Sequence, residues 1–182
     1  MIYLIGGSSH VGKTYFAQKL MEKISVSYIS LDHLKMGFIR TGMTDLTVND
    51  DREMRYFLFP YVAEIIKTAI ENEQNLILEG CYIPKEWKSH FDEKYLEKIK
   101  AVFIVMSEDY LRKNIDKVAS EANVIEKRIA DTVDLERLIF CSKMFKENAV
   151  ESGSEYLEID GEFDIDKIFK EILHKLEIEG EN

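Results

Sequence analysis

The sequence predicts a three-layer α/β fold: a five-stranded parallel sheet with helices on both faces and a helical lid. Three observations predict it. Five short apolar runs recur along 182 residues, helical patterns separate them, and the first run leads directly into a glycine-rich turn ending in Lys-Thr. Strands that alternate with helices pair in parallel and are covered on both faces, so they read as continuous apolar runs. The length suits one domain, 1–182, large enough to bury a real core. Two helical excursions, 33–73 and 107–150, interrupt the alternation.

The expected strands are 2–5, 26–30, 75–78, 101–106 and 156–159. A first helix over 12–23 places Phe16 and Leu20 on one face, four residues apart. The segment 33–48 contains Gly37 and Gly42 and little periodicity, and reads as a mobile connection. Asn49 or Asp50 caps the next helix, whose first turn is acidic. Pro60 either kinks that helix or starts a second one. A charged, aromatic helix is expected after Pro84. Ser107 caps the helix after the fourth strand, and Glu108 and Asp109 suit its positive end. The last helix, 164–176, presents Ile165, Ile168, Phe169, Ile172, Leu173 and Leu176 as its core stripe.

Composition narrows the function. The formal net charge is −10 and no dense Lys/Arg run occurs. A chain that grips a nucleic-acid backbone shows a basic face, so the balance argues against nucleic acid as the main partner. No apolar stretch approaches the roughly 20 residues of a membrane span. The chain opens on a strand-like run without a basic n-region, and the expectation is a cytoplasmic protein. Cys81 and Cys141 lie far apart without metal-ligand spacing and read as reduced thiols.

The strongest signal is Gly7-Ser8-Ser9-His10-Val11-Gly12-Lys13-Thr14, between a strand and a helix. Its glycines let the backbone curl, turning successive N–H groups inward as a nest for anionic oxygens. The following helix adds unpaired N–H groups and its positive end. Lys13 is expected at the β- and γ-phosphates of a nucleoside triphosphate and Thr14 on Mg²⁺. A merely structural turn would explain Gly7 and Gly12, but not the Lys-Thr pair in this register.

Asp32 follows the second strand, at the edge where open α/β sheets bind ligands. Three readings compete: a carboxylate that orients an acceptor hydroxyl and takes its proton, a ligand to Mg²⁺ through water, or a cap on the next turn. Glu79 ends the third strand where an acid commonly holds a metal-bound water; substrate orientation and a solvated strand end are its other readings. Tyr82, with Ile83 and Pro84, forms either an acceptor-pocket wall or a turn. An arginine closing over the transferred phosphoryl group would lower the barrier. Arg128 is the first candidate, then Arg112 and Arg137. Arg40 is the acceptor-binding candidate, with Arg52 and Arg55 nearby. Each is equally readable as a surface arginine paired with an acid such as Glu126 or Asp134.

With these residues in place, the chain resembles small P-loop kinases of the adenylate kinase-like group, in element order along nearly its whole length. "SLDHLKMG" and "LILEGCYIP" are similar to stretches of 2-phosphoglycerate kinase-like and zeta-toxin-like small-molecule kinases. The resemblance implies a P-loop NTPase fold, ATP, Mg²⁺, a small-molecule acceptor between the first excursion and Asp32, and an arginine-bearing lid. No Gly-Tyr-Pro-Arg-like stretch follows the third strand, which favours a hydroxyl-bearing small molecule over adenylate. The alternatives are a P-loop NTPase or nucleotide-binding regulatory protein without an acceptor, and a non-catalytic binding module.

Overall fold

The computed structural model describes residues 1–121 and 133–178. Five strands form one sheet: β1 (Ile2–Gly7), β2 (Tyr28–Ser30), β3 (Leu76–Glu79), β4 (Ile99–Met106) and β5 (Glu155–Ile159). Their order is β2-β3-β1-β4-β5 and every pairing is parallel. The helices are α1 (Lys13–Ile24), α2 (Leu31–Arg40), α3 (Asp51–Glu71), α4 (Glu93–Leu96), α5 (Glu108–Glu121), α6 (Leu135–Glu151) and α7 (Ile165–Lys175). None of the described helices is long and apolar enough to cross a membrane.

Two apolar layers sandwich the sheet, and strand residues alternate between them because successive side chains point to opposite faces. On β4, Val102, Ile104 and Met106 join Phe16 and Leu20 of α1, Leu111 of α5 and Ile172 of α7. Phe103 and Val105 join Leu31 of α2, Leu58 and Val62 of α3, and Phe145 of α6. Each large side chain fully buried here stabilises the fold by roughly 1.5–3 kcal/mol. Ser107 caps α5 as its sequence suggests, accepting from the Tyr110 N–H at 3.0 Å.

Four expectations need correction. The segment 33–48 is not an irregular connection, because α2 occupies its first part. Leu31, Leu34, Lys35 and Phe38 recur at helical spacing and face inward, and Gly37 masks that period. Of the two readings of Pro60, the start of a second helix falls, because α3 runs through it as one helix. It is exposed, as is Tyr56 four residues back, so water can take the carbonyl left without its helical donor.

No full helix follows Pro84. A 3₁₀ turn (Trp87–His90) and the single-turn α4 replace it. Phe91 between them is extended, which lets Trp87, Phe91 and Tyr95 all bury against the α3 side. Ile165 opens α7 but remains 38% exposed, while Ile168, Ile172, Leu173 and Leu176 are buried. On α3, Phe59 is buried, whereas Tyr61 packs on Phe38 and Phe57 with its outer edge in solvent.

Candidate active site

The carboxyl ends of β1, β2 and β3 lie side by side. Ile5 pairs in register with Glu79, and Ser30 with Glu79 on its other side. The segments after these strands therefore open on one edge: the glycine-rich loop after β1, the start of α2 after β2, and Gly80–Tyr82 after β3.

The loop is built by local backbone geometry. Gly7 has φ +128°, and a Cβ there would lie 2.0 Å from the Ile104 carbonyl oxygen. His10 and Gly12 also have positive φ, at 66° and 83°. Val11 is fully buried and anchors the loop to the α1 side of the core. The Ser8 N–H donates to Ile104 O at 3.1 Å, and Ser8 Oγ accepts from Ser142 Oγ of α6 at 2.9 Å. Lys13 folds back over the loop and donates to the Ser8 carbonyl at 2.6 Å. The first-turn N–H groups of α1, at Lys13, Thr14 and Tyr15, have no carbonyl four residues back in their own helix. The ammonium, the Thr14 hydroxyl and these donors form a set suited to phosphate oxygens and a hard cation.

Asp32 sits in the first turn of α2, with Oδ1 3.3 Å from Lys35 Nζ. Lys35 is only 8% exposed. Its ammonium donates to the Tyr82 hydroxyl and lies 4.8 Å from the centre of that ring. Tyr82 is itself buried and donates to Asp51 Oδ1 at 3.1 Å. Asp51 Oδ2 accepts from Arg137 Nη2 at 2.7 Å. One chain of charges and dipoles thus runs Asp32–Lys35–Tyr82–Asp51–Arg137, joining α2, the segment after β3, the start of α3 and the first turn of α6. Burial, with Cys81 and the two carboxylates nearby, holds the Tyr82 hydroxyl strongly toward its protonated form. Burial also raises the Cys81 thiol, and Asp32 and Asp51 add to that rise against the opposing charges of Lys13 and Lys35.

The other candidates are placed as follows. Glu79 is buried at the end of β3, between β1 and β2. Arg40 is the last residue of α2, exposed, and about 12 Å along the helix axis from Asp32 at 1.5 Å per residue. Arg112 pairs with Glu108 at 2.8 Å and Glu136 at 3.0 Å on the surface between α5 and α6. Arg137 joins the charge chain, and Arg128 lies outside the described residues. Among the described residues, no group of three or more His, Cys, Asp or Glu side chains converges as a metal cage.

Four participants were not assigned roles from the sequence. Lys35, Asp51 and Ser142 carry no local sequence signal that points to the site. Arg55 was noted only as lying near the acceptor side. It places Nε 3.2 Å from the Cys81 carbonyl and its guanidinium 4.9 Å from the centre of the Phe145 ring. The spacing of Leu31, Leu34, Lys35 and Phe38 was the available signal that Lys35 faces inward.

No protein-family model matches the chain, and no curated protein does. Solved structures do. A sugar kinase from Janibacter sp. HTCC2649 is 14% identical with a TM-score of 0.61, covering 97% of this chain and 94% of that one. A deoxyadenosine kinase from M. mycoides is 14% identical with a TM-score of 0.57, over 97% and 99%. A shikimate kinase from Aquifex aeolicus is 18% identical with a TM-score of 0.54, over 97% and 96%. At these identities the likeness establishes the fold, and the chain has the α/β fold that these three kinases share.

Proposed function

We propose that the protein is a phosphotransferase that moves the terminal phosphoryl group of ATP, with Mg²⁺, to a hydroxyl or phosphate of a small-molecule acceptor. The observation that carries this reading is the placement of Asp32 and the Gly7–Thr14 loop on one edge of the sheet, at the ends of β2 and β1. The named activities of the structural neighbours support it.

In this reading Lys13 leaves the Ser8 carbonyl for the phosphate oxygens, and the loop N–H groups cradle them. The Thr14 hydroxyl holds the metal, and Glu79 holds one of its waters. Mg²⁺, when bound, supplies neutralisation of phosphate charge. Asp32 orients the acceptor hydroxyl and takes its proton as the new oxygen–phosphorus bond forms. The bond to the β-phosphate oxygen breaks and ADP leaves. The excursion 33–73 forms the acceptor side, and 107–150 is the lid-like excursion that closes over the site. Arg128 remains a candidate for contact with the transferred group, as does Arg137. Tyr82 acts behind the acceptor wall through Lys35, and Arg40 lies at its outer rim. The two free cysteines fit a reducing, cytoplasmic setting.

The test is Lys13→Ala, assayed for ATP affinity and steady-state turnover. Both should fall at least about a hundredfold, since the P-loop lysine contacts the phosphates throughout. Unchanged turnover would refute the reading.

A further inference from the structure

Lys35 occupies a place where an apolar side chain would serve the fold better. It stands on the inward stripe of α2 with Leu31, Leu34 and Phe38 and is only 8% exposed. A methionine would fill the same position without taking an ammonium out of water, which is costly even for a paired charge.

The ammonium is fixed from one side and faces Asp32 on the other. Its Nζ donates to the Tyr82 hydroxyl, lies 4.8 Å from the centre of that ring and sits 3.3 Å from Asp32 Oδ1. Tyr82 is 2% exposed, and its hydroxyl donates to Asp51 Oδ1 at 3.1 Å. Asp51 is held in turn by Arg137. The backbone is fixed as well. Leu31 is fully buried, and a Cβ on Gly80 would lie 2.8 Å from Leu31 Cβ, so the start of α2 and the segment after β3 are in close contact. The soft part is the Asp32 side chain. It is 31% exposed in the first turn of α2, and the second torsion of an aspartate has broad wells. Among the described residues, Lys35 is the one group that pairs with it. An ammonium that cannot move keeps Oδ1 turned toward it and thereby sets the direction of Oδ2.

We infer that Lys35, anchored by Tyr82, is a positioning residue that fixes the Asp32 carboxylate so that Oδ2 faces the acceptor hydroxyl. The inference rests on the phosphotransferase reading and adds to it a residue that touches neither substrate. A carboxylate held in one orientation takes the acceptor proton from a near-attack geometry, where a misplacement of about 1 Å costs about a hundredfold in rate. Because Lys35 acts on orientation, its loss lowers the rate at saturation and leaves binding nearly unchanged.

The test follows transfer of an ¹⁸O-labelled γ-phosphate from ATP into a small-metabolite extract, with the extract titrated to saturation and products read by mass spectrometry. Lys35→Met should lower the saturating rate at least about tenfold, while the half-saturating extract concentration and ATP affinity stay within about twofold. Lys35→Arg, which keeps the charge, should recover part of the rate. Tyr82→Phe, which leaves Lys35 and Asp32 present and removes the anchor, should fall between Lys35→Met and wild type. In an Asp32→Asn background, Lys35→Met should bring no further loss, because a positioning residue acts only through the group it positions. An unchanged saturating rate in Lys35→Met overturns the inference. So does a raised half-saturating concentration at an unchanged rate, which would make Lys35 an acceptor-binding residue. A parallel loss of ATP affinity, or a further loss in the Asp32→Asn background, overturns it in favour of a merely structural role. If Lys35→Met does not fold, Tyr82→Phe decides, and an unchanged rate there overturns the inference. No labelled small molecule with the wild-type protein overturns the phosphotransferase reading and the inference with it, whereas label with wild type and none of these losses overturns the inference alone.

Discussion

Lys35 Nζ lies 3.3 Å from Asp32 Oδ1, one turn along α2, and donates at the same time to the hydroxyl of Tyr82, 47 residues away in sequence. A lysine buried on the apolar stripe of a helix is tolerable only with such partners, since an unpaired buried ammonium costs several kcal/mol. The pairing therefore holds Asp32 and the segment after β3 together.

Tyr82→Phe keeps the ring and removes the hydroxyl that receives Lys35 and donates to Asp51. It is expected to destabilise the protein by about 1–3 kcal/mol. Urea denaturation should show a lower midpoint with an unchanged slope. An unchanged midpoint would mean the hydroxyl contributes nothing net to the chain.

Glycine substitutions should separate by surroundings. Gly7→Ala places a methyl 2.0 Å from the Ile104 oxygen at φ +128°, and Gly80→Ala places one 2.8 Å from Leu31 Cβ at φ +153°. Each should cost more than about 3 kcal/mol, or prevent folding. Gly42 has φ +68° with open space around its missing Cβ. Gly42→Ala should cost only about 1 kcal/mol. Thermal and urea unfolding of the three variants would check the ranking.

The arginines should differ as well. Arg112 is 46% exposed and holds two surface carboxylates. Arg112→Ala should change stability by less than about 1 kcal/mol and leave nucleotide turnover intact. Arg137 reaches the site through Asp51. Arg137→Ala should lower acceptor phosphorylation at least about tenfold, with ATP affinity nearly retained. Parallel kinetics on the two variants decide this.

Stability should fall on the alkaline side. Burial raises the Cys81 thiol above its unfolded value of roughly 8.5. A group raised in the folded state contributes stability that is complete below its unfolded pKa and is lost as pH rises toward the folded one. Unfolding then releases up to one proton, a slope of at most about 1.4 kcal/mol per pH unit. Cys81→Ala should flatten the decline in urea midpoint between about pH 8 and 10, and a curve parallel to wild type would contradict the assignment.

The strands and the phosphate loop were legible in the sequence because their signals are local: apolar runs, and a motif whose residues are contiguous. The start of α2 was not, because Gly37 lowers helix propensity and Lys35 occupies a core-facing position. That lysine is stabilised by Tyr82, a partner no window around it contains. Asp51 read as part of a helix start because its first turn is acidic, and it became part of the site only when α3 packed beside the segment after β3. Arg55 and Phe145 meet across 90 positions, and Ser8 and Ser142 across 134. Periodicity says nothing about such pairs. Ser107 and the α7 stripe were readable for the opposite reason: the cap bond spans three residues, and the buried positions recur with the helix.

In the proposed phosphotransferase reading, Asp32 directs a phosphoryl group from ATP to an acceptor. The direct measurement compares wild type with Asp32→Asn, using γ-labelled ATP and a small-metabolite extract. Label in small molecules and label in inorganic phosphate are counted separately, alongside ATP affinity. Labelled small molecules are expected with wild type, with loss of at least about a hundredfold of that label in Asp32→Asn and ATP affinity within about twofold. Label found only in inorganic phosphate, and undiminished in Asp32→Asn, would contradict it.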